Sequence, residues 1–336
     1  LSTDAARWRP LGEMASFVKE TPEIMLIQLA LPDFRVQSVA WSGGDQDAVV
    51  SLAGQKGTAR AGQQMLCVAN PRVLDVAVIL PPTFSPFHLL GSGVARNGEP
   101  GCVLASTGET VFTGLTPLVH APAKLFSEPG EASAAIPGKA AFGIASESGI
   151  HDVDLATGET RTVVALESAR IESMAYAPDG SALVYVLDDG KEQTLWRTSQ
   201  NGNDTPVQLL KGKFTLGIRP FSPDSRTVLV TDTSVSTAGA LRLLDITDGH
   251  IVAELGPGHA AAFHPAGACV LTLAEDHAKR LQLWSVKTQE PYERVQLTFM
   301  GSGLANQLSL SDDGRYALSA QPDSPTLAVV QLPETM

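Results

Sequence analysis

One short segment returns along the chain: an apolar run, a polar turn, then a second apolar run. It reads Tyr176-Ala177-Pro178-Asp179-Gly180, Phe221-Ser222-Pro223-Asp224-Ser225, Phe263-His264-Pro265-Ala266-Gly267 and Leu310-Ser311-Asp312-Asp313-Gly314, with Trp41-Ser42-Gly43-Gly44-Asp45 near the start. The central residues fall at 43, 178, 223, 265 and 312, giving intervals of 135, 45, 42 and 47. The first interval is three times 45, which predicts two more copies near 88 and 133. Phe84-Ser85-Pro86 and Phe126-Ser127-Glu128 are the candidates. A second anchor keeps the same beat: Asp154-Leu155-Ala156-Thr157-Gly158 and Asp245-Ile246-Thr247-Asp248-Gly249 lie 91 residues apart. A fixed period of this length marks units that bury their faces only against their neighbours.

Each period holds four short strands. In the best copy they are Ile171–Tyr176, Ala182–Val186, Thr194–Arg197 and Pro206–Leu210, each bounded by turn residues. Pro-Asp-Gly reverses the chain tightly, because Pro presets φ and Gly accepts a turn conformation. Four-stranded sheets repeated radially make a β-propeller. Seven repeats of about 45 residues account for nearly all of the 336. The expected fold is therefore all-β: a seven-bladed β-propeller of four-stranded blades over residues 23–336, as a single domain. The last repeat supplies only three strands, Gln307–Leu310, Tyr316–Ala320 and Thr326–Leu332. An orphan strand at Ile24–Leu29 is expected to complete that blade. Residues 1–22 form an N-terminal extension, with Ser2-Thr3-Asp4 able to cap a short helix or the whole segment left disordered.

Gly258-His259, then Phe263-His264-Pro265-Ala266-Gly267, Asp276 and Leu283-Trp284-Ser285 resemble a WD-repeat. The other copies are similar to the degenerate repeats of TolB-type bacterial propellers. The resemblance spans nearly the whole chain as repeat shape, and it implies a fold rather than an activity. It also implies structural roles for His259, Asp276 and Trp284, in the hydrogen-bond network typical of WD-repeats.

Composition narrows the function. The net charge is −12 and no Lys/Arg cluster occurs, so nucleic acid is not an expected partner. The same balance disfavours an anionic membrane surface, and no apolar run approaches the roughly 20 residues of a spanning helix. Cys67, Cys102 and Cys269 are far apart, which argues against a zinc site or a disulfide framework. They read as core residues in a reducing, cytoplasmic setting, while the start at Leu1 is compatible with a removed leader for export or an organelle.

No Gly-x-Ser-x-Gly elbow, phosphate loop or dinucleotide fingerprint is present. His151-Asp152-Val153-Asp154 sends alternate residues to opposite faces of a strand, so it reads as strand surface rather than a metal site. No cofactor, metal or catalytic set is expected. The leading expectation is a non-catalytic protein–protein interaction or assembly scaffold with other proteins as partners, for which loops on a rigid frame are the usual recognition surface. Its specificity segments would be Leu80–Gly101, Ser127–Lys139 and Asp232–Gly239, with Asp188, Lys191, His277, Lys279 and Arg280 as candidate partner-binding residues. The alternative is a lactonase- or lyase-like propeller enzyme with a polar or metal site at a central channel. A module of a larger assembly, held by the N-terminal segment, is the third.

Overall fold

The fold is taken from a computed structural model. It describes residues 9–10, 15–20, 24–29, 31, 33–41, 47–70, 75–84, 87–94, 100–115, 123–166, 169–234, 239–274, 280–296, 307–320 and 326–332. Among these residues every regular element is a strand, and no helix is long and apolar enough to cross a membrane. The chain divides into two compact units: residues 1–127 with 297–335, and residues 128–296.

The first unit begins with β1 (Arg9–Pro10), β2 (Ala15–Glu20), β3 (Ile24–Leu29), β4 (Phe34–Trp41), β5 (Ala48–Gly54), β6 (Gln64–Asn70) and β7 (Asp75–Thr83). It continues with β8 (Phe87–Val94), β9 (Pro100–Ser106), β10 (Glu109–Gly114) and β11 (Ala123–Phe126). The second unit holds β12 (Ala132–Ala135), β13 (Ala141–Ser146), β14 (Gly149–Asp154), β15 (Thr160–Ala165), β16 (Arg170–Tyr176), β17 (Ala182–Asp188), β18 (Gln193–Ser199) and β19 (Val207–Gly212). There follow β20 (Phe214–Phe221), β21 (Thr227–Asp232), β22 (Ala240–Asp245), β23 (Ile251–Pro257), β24 (His259–Phe263), β25 (Cys269–Ala274), β26 (Arg280–Ser285) and β27 (Pro291–Gln296). The first unit ends with β28 (Gln307–Leu310), β29 (Tyr316–Ala320) and β30 (Thr326–Gln331).

In the first unit the sheet orders are β1-β7-β6-β5-β4, β11-β10-β9-β8 and β2-β3-β30-β29-β28. The orphan strand is where the repeat pattern places it: β3 pairs antiparallel with β30, from Ile24 opposite Val330 to Gln28 opposite Thr326. The two ends of the chain also share a core, in which Leu29, Phe34 and Trp41 pack with Leu318, Leu327 and Val329. Trp41 fastens the seam through its backbone N–H to Ser309 Oγ (3.1 Å) and its indole N–H to the Ser309 carbonyl (3.2 Å).

In the second unit β12–β15 and β16–β19 are consecutive four-stranded meanders. The remaining eight strands form one sheet, whose two antiparallel halves, β20–β23 and β24–β27, meet at a single parallel pair, Arg219 with Ala262. Four strands per sheet is therefore not uniform. β1 and β2 each add a fifth strand in the first unit, so the described part of the first 22 residues is strand, and residues 1–8 lie outside the described ones.

Burial explains the strand compositions. Ala182–Asp188 is apolar almost throughout because both faces of β17 are covered, while β19, at the sheet margin, alternates toward solvent. The recurrent turn works through its serine. Ser222 Oγ donates to Asp224 Oδ1 (2.6 Å) and accepts from the Thr227 N–H (3.0 Å). Ser311 does the same with Asp313 (2.7 Å) and Tyr316 (2.9 Å).

Two turn positions need correction. Phe84 lies between β7 and β8, with Ser85 and Pro86 outside the described residues, and Phe126 ends β11 with Ser127-Glu128 following it; neither segment is in the first hairpin of its repeat. Those hairpins join β8 to β9 and β12 to β13, because β6 and β7 are seven and nine residues long and delay the beat. For the same reason most of Leu80–Gly101 is sheet rather than an irregular loop.

Candidate functional site

One sheet-to-sheet junction in the second unit breaks the apolar repeat. The third strands can be aligned through their pairing with the second strands. Gly143, Val184, Leu229 and Leu271 are each two residues past the one whose carbonyl closes the preceding turn. Opposite them stand Asp152, Arg197, Leu243 and Leu283. Two equivalent positions are aliphatic and two, in neighbouring sheets, are charged.

Asp152 is almost wholly buried at 8% exposure, so its charge needs partners. Oδ1 accepts the Tyr176 hydroxyl at 2.5 Å, from the adjacent sheet. Oδ2 pairs with Arg161 Nη2 at 2.5 Å, its cross-strand neighbour on β15. Arg161 then reaches the next sheet, with Nη1 on Asn201 Oδ1 (3.1 Å) and Nη2 near the Gln200 carbonyl (3.4 Å). Burial, followed by the Asp152 charge and hydrogen bond, drives the Tyr176 phenol far above its ordinary pKa, so it stays a donor. Gly143 makes room: a Cβ there would meet the Tyr176 hydroxyl and the Met174 methyl.

Beside this network opens a cavity of about 420 Å³, within the range of ligand sites. Ile136 and Ala141 give it apolar walls. Asp152, Asp154, Glu159 and Arg161 give it charge, with Lys139 and Thr160 completing the lining. Asp154 Oδ1 caps the turn through the N–H groups of Ala156 (2.8 Å) and Thr157 (2.9 Å). Glu159, Thr160 and Lys139 are exposed.

A second polar cluster lies on the same sheet. His151 is 7% exposed, so it is buried and not strand surface. Its Nε2 is 2.9 Å from Ser148 Oγ and its Nδ1 3.1 Å from Thr162 Oγ1. Ser148 Oγ also lies 2.9 Å from Glu128 Oε2. The Ser146 and Ser148 hydroxyls, with a smaller contribution from His151, hold the Glu128 carboxyl below its usual range. Desolvation lowers the His151 pKa, so the ring is neutral near pH 7. With Ser148 donating its one proton to the carboxylate, His151 donates from Nε2 and accepts from Thr162 at Nδ1. That ties the segment before β12 to the β13–β14 hairpin; it does not prime Ser148 as a nucleophile.

Asp245, Asp248 and His250 bring three ligand atoms within 4.8 Å of one another, yet this is an exposed turn. Asp248 Oδ1 already accepts the His250 N–H (3.0 Å) and contacts its Nδ1 (2.8 Å).

Of the expected partner-binding residues, Asp188 ends β17 and caps the following turn through the Gly190 N–H (2.7 Å), with Lys191 exposed beside it. His277 and Lys279 lie outside the described residues, as does Asp276, and Arg280 is described only as the first residue of β26. The five are not brought into one described cluster. His259 opens β24 opposite Leu273. Trp284 is buried in a core with Leu243, Phe263 and Val270, and its indole N–H has no hydrogen-bond partner among the described residues. Asp152, like His151, is buried rather than strand surface, and Arg161 is a site residue that no motif marks. The signal in the sequence was a carboxylate at Asp152, in the slot that the last two repeats of this unit fill with Leu243 and Leu283.

No protein-family model and no curated protein matches the chain. A chain from a structure titled "Crystal Structure of Mitotic Checkpoint Complex" is similar to it in fold, with a TM-score of 0.64 at 13% identity over 95% of this chain and 98% of that one. The fold is a propeller-like arrangement of small antiparallel sheets. At that identity the likeness concerns the fold alone.

Proposed function

We propose that this chain is a non-catalytic interaction module: a seven-bladed propeller, closed by β3 on β30, that presents turns and one charged cavity to a protein partner. The observation that carries the reading is the Asp152–Arg161–Tyr176 junction. A repeat scaffold gains nothing in packing from a buried charge where leucine serves elsewhere, so the departure points to a site. The similar chain belongs to a multiprotein complex by its title, in keeping with a scaffold role. Affinity capture with the full chain and with Thr160→Trp, which fills the cavity mouth, tests it. A partner recovered in stoichiometric amount by the first and lost with the second is the expected result; equal recovery overturns the assignment to this site. The same capture with residues 1–22 deleted tells whether the N-terminal segment holds the assembly.

A further inference from the structure

Each repeat ends in a fourth strand: β7, β11, β15, β19, β23 and β27, with β3 in that place for the last repeat. The far edge of such a strand is open to pairing with another chain, and a lysine or arginine in the strand is a usual guard. β11 carries Lys124, β15 Arg161, β19 Lys211 and β27 Arg294. β3, β7 and β23 carry neither lysine nor arginine. Two of these three are covered by a further strand of the chain: β2 pairs with β3 from Ala15 opposite Leu29, and β1 pairs with β7 at Arg9 opposite Val76. Among the described residues no strand pairs with the far edge of β23. A register shift between Leu243 and Leu244 leaves Val252 as an extra residue, and Ile251 and Val252 are exposed side by side, at 45% and 47%. β15 exposes Thr160, Arg161 and Thr162 instead. We propose that the free edge of β23 takes an added strand from the protein partner, an extended segment that alternates apolar residues with lysine or arginine.

The occupant follows from how the chain treats its other unguarded edges, each of which it covers with a strand. Those two strands are Arg9-Pro10 and Ala15–Glu20, the second with Phe17, Val18 and Lys19. In strand addition the main chain supplies the binding and alternate side chains the selectivity. Apolar side chains suit Ile251 and Val252. Lysine or arginine suits the charge: Asp245, Asp248 and Glu254 lie on or just before β23, and the Arg242 that pairs with Glu254 is shared with Asp232. A second copy suits the edge poorly, because each chain carries −12 and pairing two β23 edges would gather the Asp248 and Glu254 carboxylates of both. The inference rests on the interaction-module reading and adds a contact separate from the cavity.

The experiment selects short peptides from a random display library against the full chain, with counter-selection on Val252→Lys, which restores the guard that the other edges carry. A matching thermal melt confirms that the variant folds, and Ile251→Lys serves in its place if it does not. Recovered peptides should alternate β-branched or aromatic residues with lysine or arginine. N-methylation of one of the two alternating sets of peptide amides should weaken binding by roughly tenfold or more, because the pairing runs through the main chain. Val252→Lys should cost a similar factor, and Thr160→Trp, at the cavity, should change nothing. Peptides that tolerate N-methylation of either set, or that bind Val252→Lys equally, overturn the added strand, as does a library yielding no binder. A dimer in sedimentation that Val252→Lys abolishes overturns the partner strand in favour of a second copy. In each of these cases the interaction module stands or falls on its own capture experiment.

Discussion

Gly202 lies directly against the carbonyl oxygen of Val163, in the neighbouring sheet, so closely that a Cβ would overlap it. The relationship recurs one repeat later between Gly249 and the Leu209 carbonyl. Both glycines have positive φ, 66° and 76°. Gly158, in the matching turn of the β12–β15 sheet, has φ 70° but meets nothing within 4 Å.

These three glycines should separate backbone strain from sheet spacing. Gly158→Ala should cost about 1 kcal/mol, the ordinary penalty of a left-handed alanine. Gly202→Ala and Gly249→Ala should each cost about 2 kcal/mol more, since the sheets must also move apart. Urea unfolding of the three variants measures the difference, and equal costs would show that the close approach does not constrain packing.

Tyr176→Phe removes a donor from a buried carboxylate and should destabilise by about 1–3 kcal/mol. Asp152→Ala should cost about the same, ~1–3 kcal/mol, because it leaves the buried Tyr176 hydroxyl without its acceptor, while the half-exposed Arg161 keeps Asn201. Adding the two in a double variant should recover less than the sum. Chemical denaturation of the four-member cycle reads all of this.

His151 gives acid sensitivity. Its folded pKa lies below the unfolded value of about 6.5, so the unfolded chain binds the extra proton first and stability rises with pH. The contribution is complete above about pH 6.5 and declines as pH falls toward the depressed folded value. His151→Gln should flatten the fall in unfolding free energy between pH 6.5 and 5 relative to the wild type. An unchanged slope would locate the acid response elsewhere, among the carboxylates.

Closure by the N-terminal strand is tested by removing residues 24–29. The β30 edge and the shared core would be exposed together, and cooperative unfolding should disappear. The milder Leu29→Ala empties a site that is 2% exposed and should cost about 2–5 kcal/mol.

The cysteines report on the core. Cys67 is fully buried and desolvation raises its thiol to about 12; burial raises Cys102 further. Neither should react with a disulfide reagent at pH 8 in the native protein, whereas all three thiols should titrate in denaturant. Rapid native labelling would show that these sheets open locally.

What the residues alone determined is local, apart from one pairing that joins the two ends of the repeat series. Strands such as Ala182–Asp188, the Ser-Pro-Asp turn at Ser222 and the pairing of Ile24–Leu29 with the C-terminal strand are written in hydrophobic runs and turn chemistry within one period or at its ends. Only the tertiary structure decided that Asp152 meets Tyr176, that Arg161 reaches Asn201, and that His151 is buried. The first two contacts run between sheets, where twist and stagger set which side chains face one another, and a one-residue change of register would send each side chain, His151 included, to the other face.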